Sequence, residues 1–151
     1  MKRFKIVTRT IVLFLMTASA SASADFHVVV HSKLKRSQIS KDELRDIYLG
    51  NRTHWEDGKR IRAAQVDLPT VTEEFSMVIL NLSVFQFESH WRRKLFSGQG
   101  LPPKKLMDDA AVISFVARNK GAIGFIKSKM SSKDTKVLKV SSQSAKPKSS
   151  K

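Results

Sequence analysis

Residues 39–61 read ISKDELRDIYLGNRTHWEDGKRI, from Ile39 to Ile61. The stretch carries a helix with both ends marked. Ser40 and Glu43 have the spacing of a capping box, in which a hydroxyl and a carboxylate satisfy the first free amides reciprocally. Ile39 and Leu44 flank them as a hydrophobic staple. Leu44, Ile47 and Tyr48 recur at helical spacing and predict one buried stripe. Gly50 supplies the left-handed residue that stops a helix. Asn51 to Gly58 then reads as a loop with Trp55 and an Asp57-Gly58 turn.

The same punctuation extends outward on both sides. Upstream, Phe26 to His31 is β-branched and apolar, which predicts a buried strand. Downstream, Ile61 to Val66 predicts a second strand. Thr70 with Glu73 has the spacing of a second capping box, opening a helix with Phe75, Val78, Ile79 and Leu82 inward. Ser83 with Gln86 is a third, stapled by Leu82 and Phe87. Its helix is expected to bury Val84, Phe87, Trp91 and Leu95 and to end in Arg92, Arg93 and Lys94, charges that suit a helix C-terminus. Gly98 to Pro103 is a loop. Asp108 or Asp109 caps a helix through Val112, Phe115 and Val116 that stops at Gly121. Ala122 to Ile126 is a third strand and Val137 to Val140 a fourth. Strands separated by helices predict an α/β sandwich with a largely parallel sheet.

The two ends differ from this body. The 151 residues carry a net charge of +15 and no cysteine. Lys2, Arg3, Lys5 and Arg9 precede the apolar run Ile11 to Met16, and small residues follow to Ala24. That is the order of a cleavable export signal, and the run is far short of the ~20 residues that span a bilayer. Residues 1–24 are therefore expected to leave after Ala22-Ser23-Ala24, which places the rest in the periplasm and lowers the charge to +11. Without cysteine no disulfide framework, thiol nucleophile or lipidated anchor is expected. From Lys127 onward eight lysines face one acid, whereas residues 25–126 carry sixteen basic and twelve acidic residues. Residues 141–151 read as a basic disordered tail. The tail has no aromatic residue on which bases could stack, so no nucleic acid is expected as a partner. Loose attraction to anionic surfaces fits it better. The expected division is 1–24 signal, 25–140 one lobe, and 141–151 tail.

Chemistry-bearing patterns are few. His27 and His31 share a strand face ~13 Å apart, too far for one metal. His54 and His90 have no ligand-like spacing. Phe96 to Gly100 lacks the nucleophile elbow of hydrolases. Asp108 and Asp109 are explained by capping, and Trp55 and Trp91 by core anchoring beside apolar stripes. Neither enzyme activity nor a cofactor is expected.

The stretch Ile39 to Ile61, together with HWRRKLFSGQGLPPKKL (His90 to Leu106) and DDAAVISFVARNKGAIGFI (Asp108 to Ile126), resembles the periplasmic phosphate-binding proteins of ABC transporters. The resemblance covers nearly all of Phe26 to Ile126 and matches a single lobe. It implies a type II periplasmic-binding-protein-like α/β lobe, three-layered, with a mainly parallel mixed sheet flanked by helices. It also implies oxyanion binding at the start of the helix after the second strand. There the family has an Arg and a Ser-Gly-Thr phrase. This chain has Gln65-Val66-Asp67-Leu68-Pro69-Thr70-Val71-Thr72, without Arg or Gly. The resemblance therefore leaves Thr70 and Thr72 as ligand hydroxyls, with Arg62 the nearby cation, and implies weak binding. The expected partner is a small oxyanion; the alternative is an envelope or inner-membrane protein contacting a lobe that has lost its ligand site.

Overall fold

The computed structural model describes residues 26–142, so the expected signal segment and residues 143–151 of the tail lie outside the described residues. Six strands form one mixed sheet in the order β2-β6-β1-β5-β3-β4. They are β1 (His27–His31), β2 (Gln38–Ser40), β3 (Arg62–Val66), β4 (Lys104–Leu106), β5 (Ala122–Ile126) and β6 (Thr135–Ser141). Three pairings are parallel: β2 with β6, β3 with β4 and β3 with β5. β1 runs antiparallel to both β5 and β6. The expected mainly parallel mixed sheet is therefore present, with β1 as the reversed strand inside it. β2 and β4 carry three residues each, too few for an alternation pattern to show in sequence. β6 reaches Ser141, one residue beyond the boundary expected for the lobe.

Four helices cover the sheet: α1 (Lys41–Tyr48), α2 (Pro69–Phe75), α3 (Val84–Phe96) and α4 (Asp109–Arg118). No helix among the described residues is long and apolar enough to cross a membrane. In α1, Ser40 caps as expected by accepting from the Glu43 amide at 3.1 Å. Glu43 does not complete the box. Its carboxylate is buried and is held by Arg36 and Arg52, stronger partners than a backbone amide. Gly50 follows α1 with φ 71°, the expected left-handed stop.

The second capping box does not form. Pro69 occupies the first helical position, where its missing N–H costs nothing, so the cap is Leu68 and Thr70 already lies inside α2. α2 continues as a π-helical turn, Ser76–Leu80, which ends at left-handed Asn81. The wider turn shifts the helical phase. Ile79 and Leu80 consequently face the core, while Val78 is exposed. The third box is complete: Ser83 accepts from the Gln86 amide and the Gln86 side chain accepts from the Ser83 amide. α3 buries Phe87 and Trp91. Leu95, expected inside, is half exposed, and Phe96 beyond it is fully exposed.

Aromatic rings seal the centre. Phe75 stacks on Phe125 with centroids 4.0 Å apart, and Tyr48 meets Phe75 edge-on at 4.7 Å. The Tyr48 hydroxyl donates to the Ala64 carbonyl at 2.8 Å, and burial pushes this phenol well above its ordinary pKa. Both tryptophans are core anchors. Trp55 donates to the Gly121 carbonyl at 3.0 Å, and Trp91 to that of Tyr48 at 3.0 Å.

Candidate functional site

Behind the carboxyl half of β3 the packing of α3 leaves a recess of about 300 Å³. Phe87, Trp91 and Leu95 of α3 form one wall, and Pro102 and Pro103 form another. Gln65 and Thr72 supply polar groups inside, while Arg92 and Lys105 add cationic ones. Lys105 is tied to Glu88 at 3.3 Å, an exposed pair of little energetic weight.

Gln65 is the unusual residue. It is 2 % exposed, and its Oε1 is buried without a hydrogen-bond partner among the described residues. A polar atom left in that state costs about 1–3 kcal/mol, so it marks a place where another molecule can contribute. The amide offers one acceptor and two donors, whichever way round it sits. Thr72 is also buried, and its hydroxyl donates to the Val66 carbonyl at 3.4 Å, a long bond that a better acceptor can replace.

The three residues selected from sequence do not converge. Thr72 lines the recess. Thr70 is exposed on the first turn of α2 and lines none of the described cavities. Arg62 opens β3, three residues and ~10 Å before Gln65, and donates to Asn119 Oδ1 at 2.6 Å. It lines a different cavity. Gln65 itself is not among those three residues. The available signal was a carboxamide inside the otherwise apolar Ala63-Ala64-Gln65-Val66.

The Ser76 hydroxyl is likewise buried without a partner among the described residues but lines none of the described cavities, whereas the two carboxylates at the start of α4 are committed elsewhere. Asp108 caps α4 by accepting from the Ala111 amide at 2.7 Å. Asp109 accepts from the Lys127 and Ser128 amides and pins the end of β5. No group of three acidic, His or Cys side chains suited to a metal occurs among the described residues.

This arrangement of strands and helices has solved counterparts. A phosphate ABC transporter substrate-binding protein from Clostridium perfringens, with bound phosphate, superposes at a TM-score of 0.58 with 17% identity, covering 81% of this chain and 47% of its own. PstS from Borrelia burgdorferi gives 0.53 at 14% identity, covering 80% and 49%. The chain has the fold of a single phosphate-binding-protein lobe. An ABC-type phosphate transport receptor from Vibrio cholerae agrees at 0.50 and 15%, covering 76% and 45%. This chain thus spans about half the length of the proteins it matches. No family model and no curated protein sequence matches it. At these identities the likeness establishes the lobe fold and leaves the ligand to be argued from the residues.

Proposed function

We propose that the chain is an exported, non-enzymatic solute-binding lobe of the periplasm, whose recess at Gln65 and Thr72 takes a small protonated oxyanion weakly. The observation that carries this is the buried, unpartnered Gln65 amide oxygen in a recess bordered by Arg92 and by Lys105, the latter paired with Glu88 on the same rim. A hydrogen phosphate carries both oxygens for the cations and an O–H for the amide oxygen. The phosphate bound by the Clostridium perfringens neighbour supports the ligand class. Three features keep affinity low. The walls are mostly apolar, Pro69 removes one amide from the start of α2, and exposed Asp67 and Glu73 add negative charge nearby. Thr70 lies outside the recess lining and enters this reading only through its place on the same first turn of α2. Titrating phosphate into nitrogen-15-labelled protein tests it. The Gln65 side-chain amide resonances are expected to shift progressively in the millimolar range, and the same titration of Gln65→Ala to lose the neighbouring Thr72 shift. Unmoved Gln65 and Thr72 signals would sink the proposal.

A protein partner is the second reading. Phe85 and Phe96 stand three turns apart on one face of α3, 73% and 85% exposed. Large exposed aromatics of this kind favour a partner surface. If that surface is used in the envelope, Phe85→Ser with Phe96→Ser should abolish cross-linking to the partner while leaving the fold intact. Unchanged cross-linking would remove this reading.

A further inference from the structure

The opposite end of β3 holds a larger cavity, about 480 Å³, between the loop after α1 and the Gln99 to Lys104 segment. Its lining includes Arg52, Arg60, Arg62 and Lys104 and no carboxylate. Arg52 is neutralised from outside the cavity by Glu43 at 2.9 Å, with Glu56 at 3.9 Å. The other three have no carboxylate partner among the described residues. Arg62 holds only the neutral Asn119, and Lys104 lies 5.4 Å from the Phe115 ring centre. The Arg60 guanidinium has no partner among the described residues, although its backbone is fixed by a bridge to His54. Arg60, Arg62 and Lys104 are exposed, so water screens part of their mutual repulsion, and an anion bound among them would relieve the rest.

Apart from the cations, Thr53 and Gln99 are the polar side chains of the lining, and the remainder is apolar or glycine. Ile47, Ile61, Leu101 and Phe115 face the same space. The volume falls within the range of small-molecule sites, ~300–1,000 Å³, and leaves room for more than an inorganic ion. Guanidinium forks match the paired oxygens of a phosphate, and an ammonium adds a point charge. We infer that this cavity, which adjoins the Gln65 recess across Trp91, Pro102 and Pro103, is a second binding site, for an organic phosphate monoester with an apolar body. The two arginines and Lys104 hold the dianionic head, and the body lies against Leu101 and Phe115. The head can belong to a soluble ester or to a lipid; the shared chemistry is the phosphate monoester.

Phenyl phosphate is a direct probe, read by calorimetry and by Trp91 fluorescence, since Trp91 also borders the cavity. The mature protein, residues 25–151, is expected to bind it at least tenfold more tightly than inorganic phosphate. Arg60→Gln removes an exposed side chain with no structural partner, so it should fold normally and weaken phenyl phosphate about tenfold. Arg60→Gln with Lys104→Gln should abolish saturation. The basic C-terminal segment is intact in these variants, so undiminished binding by the double variant would place the ligand there and overturn the inference. Equal affinity for inorganic and phenyl phosphate would also overturn it, because the apolar lining would then contribute nothing. Gln65→Ala is expected to leave phenyl phosphate binding unchanged; loss of binding in that variant would mean that one site serves both anions and would overturn the claim of a second. Sedimentation with phosphatidylcholine vesicles containing phosphatidic acid distinguishes the sources. Pelleting that depends on Arg60 supports the lipid ester, and phenyl phosphate binding without such pelleting supports the soluble one.

Discussion

Replacing Gly121 by alanine should be among the most damaging single-methyl additions this lobe can receive. Gly121 stands at the entry to β5, where the chain passes Arg60 closely. A Cβ built there lies 2.2 Å from the Arg60 carbonyl oxygen. Carbon and oxygen normally stay ~3.3 Å apart or more, so the two backbones must separate by ~1 Å. No side-chain rotation relieves the contact, because the atom met is backbone. The Gly121 carbonyl also accepts from the Arg62 amide at 3.2 Å and from the Trp55 indole at 3.0 Å. Separation strains both. Two hydrogen bonds at about 1 kcal/mol each, plus ~1–3 kcal/mol of overpacking, give about 3–5 kcal/mol. For a body of this size that lowers Tm by about 12–20 °C. Gly58→Ala is the matched control. Its Cβ would meet nothing within 4 Å, and only its φ of 79° opposes it, a cost of ~1–2 kcal/mol. Urea and thermal unfolding followed by tryptophan fluorescence compare the two. Gly121→Ala losing less than Gly58→Ala would show that the two backbones are not pressed together as described.

Three further outcomes are expected. Glu43→Gln leaves Arg36 and Arg52 without their shared carboxylate; both arginines reach solvent, so the loss should be about 1–3 kcal/mol by urea unfolding, and an unchanged midpoint would contradict the buried triad. Tyr48 has its folded-state pKa raised, so its contribution is complete below the unfolded value near 10 and falls as pH rises above it, by up to ~1.4 kcal/mol per pH unit; Tyr48→Phe should remove that part of the alkaline slope, and identical slopes would refute it. Intact mass of protein recovered from the periplasm should correspond to a chain starting at Asp25, and retention of residues 1–24 in a membrane fraction would defeat the export reading.

The fold was legible where local chemistry and tertiary need agreed. The Ser83–Gln86 box, the Asp108 cap, the Gly50 stop and the apolar strands β1, β3 and β5 all stand where their residues place them. Misreadings arose where one residue had two uses. Glu43 had the spacing of a cap partner but was taken by two arginines, and Pro69 moved the start of α2 past Thr70. The π turn could not be read because the phase of Val78, Ile79 and Leu80 depends on a backbone irregularity, not on apolar spacing. The site was harder still. Thr72 and Arg62 flank the same strand in sequence, yet the length of β3 carries them into separate cavities. Gln65 acquires meaning only once burial shows its oxygen without a partner.

Calorimetric titration of phosphate into the mature protein, residues 25–151, bears most directly on the proposed weak oxyanion recess. The apolar walls, the lack of an arginine within Gln65 to Thr72 and the proline at the start of α2 predict a dissociation constant above millimolar, less than ~4 kcal/mol of binding free energy. A saturable micromolar heat, abolished by changing Thr70 and Thr72 to alanine, would contradict the account and would restore a strong phosphate site at the start of α2.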